Sequence, residues 1–234
     1  MKKGQSIKDI ELGTIQLREN VRARSLIFRV TEEGVRITMP PGFPMNRVTK
    51  ALEELRPRLL QQKQSQKHTL IDLNFRIDAE LFKLTLLQGR ERNFFSRSQP
   101  GSMEIICPPD TDFGDAALQS WLHKVVEEGL RRQGKALLPP RLEALARKYG
   151  MVYKSVKVNS SKSRWGSCSQ QGNINLSYFL LLLPSHLVDY VLLHELAHTR
   201  EMNHGPRFWE VLNGMTDGQA HALRNELRHY RAAL

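Results

Sequence analysis

The 234-residue chain predicts an α+β fold, with a β-rich N-terminal region over residues 1–110 followed, over 111–234, by helices plus a small sheet. Three observations carry this. The first hundred residues hold short alternating or β-branched apolar runs. Residues 116–138 repeat apolar side chains at helical spacing. Val188, Val191, Leu192 and Leu196 form a second helical stripe that is interrupted by histidine.

In order, Leu12–Leu17, Leu26–Val30 and Val35–Met39 read as strands, with Glu32-Glu33-Gly34 as a hairpin turn between the last two. Arg18, Arg22, Arg24, Arg29 and Arg36 stud this region as a solvated strand face. Met45 to about Gln66 reads as a helix on Val48, Leu52, Leu55 and Leu59, kinked or divided at Pro57. Leu70–Phe75, Leu81–Leu87 and Met103–Cys107 return to strand character around a polar loop, Gln88–Gly101, and Pro108-Pro109-Asp110 is the expected domain boundary.

Ala116–Leu138 is expected to end at Pro139-Pro140, with a second helix over Arg141–Tyr149 stopping at Gly150. Ser155–Val158 reads as a strand. Lys162–Cys168 and Asn173–Leu176 flank Gln170-Gln171-Gly172 as a hairpin, a candidate edge for a substrate strand. Trp165 and Cys168 read as core residues. Ser185 is the candidate N-cap of the next helix. A short helix around Phe208–Leu212 follows, then a last one over about Asp217–Tyr230 with Thr216 and Gln219 as a capping box and His221 and His229 on its surface. No internal repeat is evident.

The composition, 40% hydrophobic and 25% charged, is that of a globular protein. The N-terminus has no apolar run behind its lysines, and Tyr178–Leu183 is too short to span a bilayer, so no membrane association is expected. Cys107 and Cys168 form neither a disulfide framework nor a cysteine metal site, and a cytoplasmic location follows as the default. The net charge of +11 is spread over both halves, which is compatible with weak nucleic-acid binding.

The chemistry concentrates in His194-Glu195-Leu196-Ala197-His198. Residues four apart share a helix face, so two imidazoles can close on one metal at about 2.0–2.1 Å per Zn–N bond. Glu195, on the same turn, can take a proton from a metal-bound water. A catalytic zinc usually takes a third protein ligand. His204 is the preferred one, with Asn203 supplying a left-handed residue in a sharp turn and Pro206 opening the next helix. Glu201 is the competing ligand.

Arg164-Trp165-Gly166-Ser167-Cys168, Asn175, Asp189-Tyr190, the His194–His198 motif, Asn203-His204 and Phe208-Trp209 together resemble the YgjP-like family of predicted zinc-dependent metallopeptidases, relatives of the SprT and Wss1 groups. The likeness is densest over Leu118–Met215. It implies a minimal zincin-like catalytic domain with Zn2+ held by His194, His198 and His204, Glu195 as general base, and a peptide or protein as substrate. Glu201 stands where metzincins, which share the His198-to-His204 spacing, carry glycine.

Two other readings stay open. Arg164, Arg200 and Arg207 near the ligands would suit a metal-dependent phosphohydrolase acting on nucleotides. A basic nucleic-acid-binding protein with a structural zinc would need a fourth protein ligand. The sequence leaves the oligomeric state unknown.

Overall fold

The computed structural model describes residues 6–31, 34–65 and 69–232, which divide into two compact units at Thr69/Leu70. The expected α+β class with N-terminal strands is observed. No helix among the described residues is long and apolar enough to cross a membrane.

The first unit holds β1 (Ser6–Asp9), β2 (Gly13–Glu19), β3 (Ile27–Thr31), β4 (Gly34–Met39) and α1 (Met45–Ser65). The sheet order is β1-β2-β4-β3, with β2 and β4 parallel and the other pairs antiparallel. Alternation along the strands sends Ile15, Leu17, Val35 and Ile37 to one face, where they are buried with Val48, Leu52 and Leu59 of α1. The helix continues through Pro57 as one element. Arg56, just before it, binds Asp9, Glu11 and Glu53 and ties the helix to the end of β1. Two residues of the expected hairpin turn, 32 and 33, lie outside the described residues.

The second unit opens on β5 (Arg76–Asp78), β6 (Lys83–Gln88), β7 (Phe95–Gln99) and β8 (Ser102–Cys107), ordered β5-β6-β8-β7. Here β6 and β8 are parallel and the remaining pairs antiparallel, so the first unit's topology recurs, again followed by a long helix. The repeat is topological and had no sequence signal.

Phe82, Leu84, Leu86, Met103, Ile105 and Cys107 join the same buried cluster as the helices that follow. A β-carbon on Gly129 would meet Sδ of Met103 at 2.3 Å, which shows how closely helix and sheet approach. Pro108-Pro109-Asp110 is therefore a turn inside this unit, and the division falls before the sheet rather than after residue 110.

Leu70–Phe75 is not a strand. Ile71 is buried, and its backbone N–H and C=O are both satisfied by the Gln119 side chain, while Asp72 accepts from the Asn74 and Phe75 amides in a turn. Conversely, β7 lies within the expected loop, because an edge strand exposed at all five residues has no apolar alternation to betray it.

One helix, α2 (Ala116–Lys148), replaces the two expected. Asp115 caps it by accepting from the Ala117 and Leu118 amides. It runs through Pro139-Pro140 with Leu138 and Leu142 fully buried on either side, so tertiary burial offsets the lost backbone bonds. The remaining sheet has order β10-β11-β9: β9 (Ser155–Asn159), β10 (Gly166–Cys168) and β11 (Asn173–Ser177). β10 and β11 form the expected hairpin, with Gly172 at φ 73° in its turn. A 3-10 turn over Tyr178–Leu182 leads to α3 (Ser185–Ala197), α4 (Pro206–Met215) and α5 (Ala220–Leu227).

Candidate metal centre

Helix α3 is buried over most of its length, and Val188, Val191, Leu192 and Leu196 are each at most 3% exposed. Its position is fixed against α2 by a bidentate ion pair in which Arg141 Nε and Nη2 meet the Asp189 carboxylate. Ser185 is the first helical residue rather than the cap; Pro184 precedes it, and the Ser185 hydroxyl donates to Glu80 instead.

Four residues apart on this helix, His194 and His198 bring their Nε2 atoms to 3.2 Å, and His204 Nε2 lies 3.1 Å from that of His194. No further Asp, Glu, Cys or His joins these three among the described residues. Tetrahedral bonds of about 2.0–2.1 Å place ligand atoms about 3.3 Å apart, so the set fits a small divalent ion.

His198 Nδ1 donates to the carbonyl oxygen of Glu201 at 3.2 Å, which leaves the Nε2 lone pair facing the other two rings. Glu201 thus contributes its backbone, and its carboxylate stays out of the cluster. His194 Nδ1 is buried without a partner among the described residues.

The sharp turn places His204 without a left-handed Asn203; Asp217 is the one non-glycine residue at positive φ among those described. The chain leaves α3 through amide bonds from Thr199, Arg200 and Glu201 to the carbonyls of Leu196 and Ala197. It enters α4 at Pro206, as expected. Phe208, fully buried, packs on all three imidazoles at 4.6–5.0 Å between ring centroids. Trp209 Nε1 donates to the His204 carbonyl oxygen at 3.1 Å and pins the turn.

Burial, and then the neighbouring His198 and His204, pull the His194 pKa down to about 3; burial also lowers that of His198. A cluster of neutral imidazoles is the form a metal takes up. Glu195 is 4% exposed, and Oε2 has no partner among the described residues. Burial pushes its pKa up to about 8 against the opposing charge of Arg164. A cation beside it restores the carboxylate, so the orphaned oxygen and the neutral rings agree with an ion at this place.

Glu195 abuts β10: a β-carbon on Gly166 would stand 2.6 Å from Oε1. Cys168 on the same strand has its pKa raised to about 11 by burial and the charge of Glu195, so it is a thiol and no nucleophile. Trp165 and Cys168 pack on the core, as expected.

No local signal points to Arg224, which lies over the Trp209 ring at 5.3 Å and whose charge reaches His194 and Tyr190. His221 is exposed, as expected, and stacks on the Trp209 ring at 4.2 Å between centroids. Both come from the last helix, and nothing in their spacing ties them to the motif. The capping box before that helix is not formed: α5 starts at Ala220, and the Thr216 hydroxyl donates back to Leu212. Arg164, Arg200 and Arg207 are not gathered into one clamp; the first lines one cavity, the other two a second, and Arg200 Nη2 donates to the Gly150 carbonyl oxygen.

Convergent imidazoles from one helix and the turn after it, with a buried carboxylate alongside, define a protein of the metal-dependent hydrolase class. The chain belongs to the family described as YgjP-like, metallopeptidase domain, which matches residues 24–230. It is also similar to abylysin of Pyrococcus abyssi, crystallised as a metallopeptidase zymogen. That likeness has 24% identity over 39% of this chain and 91% of that one, with a TM-score of 0.36, too low to equate the folds. Among curated proteins none matches.

Proposed function

We propose that this chain is a zinc-dependent peptidase in which Nε2 of His194, His198 and His204 hold Zn2+ and Glu195 is the general base. The observation that carries the reading is a three-imidazole cluster with no fourth protein ligand among the described residues, beside an unpaired buried carboxylate. Structural zinc normally has four protein ligands, so three speak for a site that reacts.

When bound, the ion supplies a Lewis acid for the scissile carbonyl and lowers the pKa of water toward about 7. Glu195 accepts the proton of the attacking water on a carboxylate oxygen. It returns that proton to the leaving amine as the C–N bond breaks. Phe208 and Trp209 hold the imidazoles and the His204 turn in place. The unpaired edge of β10, on the strand that touches Glu195, offers an extended peptide backbone bonds.

The test is a screen of casein, peptides and nucleoside triphosphates with zinc-loaded protein and Glu195→Gln as control. Peptide hydrolysis that falls by about 10²–10⁴-fold in the variant is expected. Hydrolysis of triphosphates alone would overturn the peptidase reading.

A second observation bears on partners. Arg29 and Arg36 are direct cross-strand neighbours on the outward face of the first unit's sheet, with Lys8 and Arg18 on the same face. Like charges placed opposite one another are unfavourable. Among the described residues of that sheet no acidic residue occupies an outward strand position, and Arg36 bonds the neutral Gln16 amide oxygen. We infer that this face takes phosphate backbone in weak, sequence-independent binding.

A further inference from the structure

The three-stranded sheet carries a cavity of about 300 Å³ that the chemistry above does not use. It is lined by Asn159, Ser161, Arg164, Ser167, Asn175 and Ser177, together with the backbone of Gly166. The lining holds one cation, hydroxyls and amides, with no carboxylate and no apolar side chain. Such a wall attracts an anion and gives an apolar group nothing to pack on.

Several of its donors are uncommitted. The Asn159 amide oxygen accepts from the Ser161 backbone N–H at 3.0 Å, so its amide nitrogen is the group left to donate. The Ser177 hydroxyl is spent on the Ser161 carbonyl oxygen at 2.6 Å, fixing the floor. Arg164 has no ion-pair partner among the described residues. Ser167 and Asn175 are cross-strand neighbours, so they share one face of the sheet.

Side chains alternate across a strand, so that face is opposite the one where Gly166 meets Glu195. β10 is the edge strand and, among the described residues, pairs only with β11. A peptide added along its free edge sends successive side chains alternately to the two faces. A residue next to the one at Glu195 is thereby delivered to the cavity side.

Resting on the peptidase reading above, we infer that this cavity is a substrate-specificity pocket that binds a carboxylate of the peptide, with Arg164 as the charged anchor and Asn175 and Ser167 as hydrogen-bond donors. The carboxylate comes from an acidic side chain near the scissile bond or from the peptide's own C-terminus. Both present the same planar oxyanion to a guanidinium.

The experiment uses the zinc-loaded full chain and a matched peptide series: Glu or Gln at each position flanking the scissile bond, each as free acid and as C-terminal amide. Binding is measured on Glu195→Gln, and kcat/KM on the unmodified chain. A preference of about 10- to 100-fold for one carboxylate is expected, and Arg164→Gln should bring that ratio near unity while Arg164→Lys keeps part of it. Loss on Glu→Gln identifies a side chain, and loss on amidation identifies the terminus.

Equal cleavage of all peptides, or a ratio untouched by Arg164→Gln, overturns the pocket and leaves the peptidase reading standing. Carboxylate-selective binding without cleavage by the unmodified chain does the reverse. Inorganic phosphate that binds through Arg164 more tightly than any peptide would also overturn the pocket as a carboxylate site.

Discussion

Gly166 and Glu195 are in contact across the junction of β10 and α3, and there is no room between them for a methyl group: it would lie 2.6 Å from Oε1 and 2.9 Å from the carboxyl carbon. The glycine is there for close approach, and the acid is positioned by strand backbone on one side and core on the other. Gly166→Ala should therefore push the carboxylate aside. Peptide hydrolysis is expected to fall by about 10²-fold or more with zinc content unchanged, read by turnover and metal analysis on the same preparation. Full activity in Gly166→Ala would show that Glu195 needs no such support.

The ligand set is tested by stoichiometry. About one zinc per chain is expected, lost in most part on His204→Ala and kept on Glu201→Ala, because the Glu201 carboxylate is outside the cluster. Release of the metal by Glu201→Ala with retention in His204→Ala would reverse the assignment.

The first unit carries a pH-dependent clasp. Hydrogen bonds from Arg56, and then from the Leu12 amide, hold the Asp9 carboxyl well below the usual carboxylate range. A folded pKa below the unfolded one contributes stability that is present above about pH 4 and is lost as pH falls through the folded value. Asp9→Asn should lower stability near pH 7 by about 1–2 kcal/mol, moderated by solvent, and flatten the loss on acidification below pH 4. Hydrogen exchange of the β1, β2 and α1 amides across that pH range measures it.

Binding of a DNA or RNA oligomer should be weak, indifferent to sequence, and steeply weakened between low and physiological salt. Arg29→Ala with Arg36→Ala should shallow the salt dependence, since each lost phosphate contact removes about one unit of slope. A salt-independent affinity would exclude this electrostatic mechanism.

The geometry of the candidate site is legible where its signal is local. His194, Glu195 and His198 are fixed by helical spacing, and Pro206 opens α4 as its ring geometry requires. What the sequence hid depends on distant partners. Asn203 was expected to turn the chain, but the turn is made by capping bonds to Leu196 and Ala197 and by the Trp209 indole. Arg224 and Gly166 gain meaning only once α5 and β10 are packed against α3 and α4. The same holds for the fold. Pro139-Pro140 looked like an end because propensity is local, whereas the burial of Leu138 and Leu142 that overrides it is not. Strand β7 carries no apolar alternation because both of its faces meet water.

The three imidazoles come from an eleven-residue stretch of chain, 194–204, whereas the backbone against Glu195 belongs to a strand formed well before it. Capturing an ion is therefore a short-range property that a small piece of folded chain can possess, while using the ion demands that the sheet be in register with the helix. Zinc content and turnover should part company in any variant that loosens the sheet alone, and a protein full of metal need not be one that works.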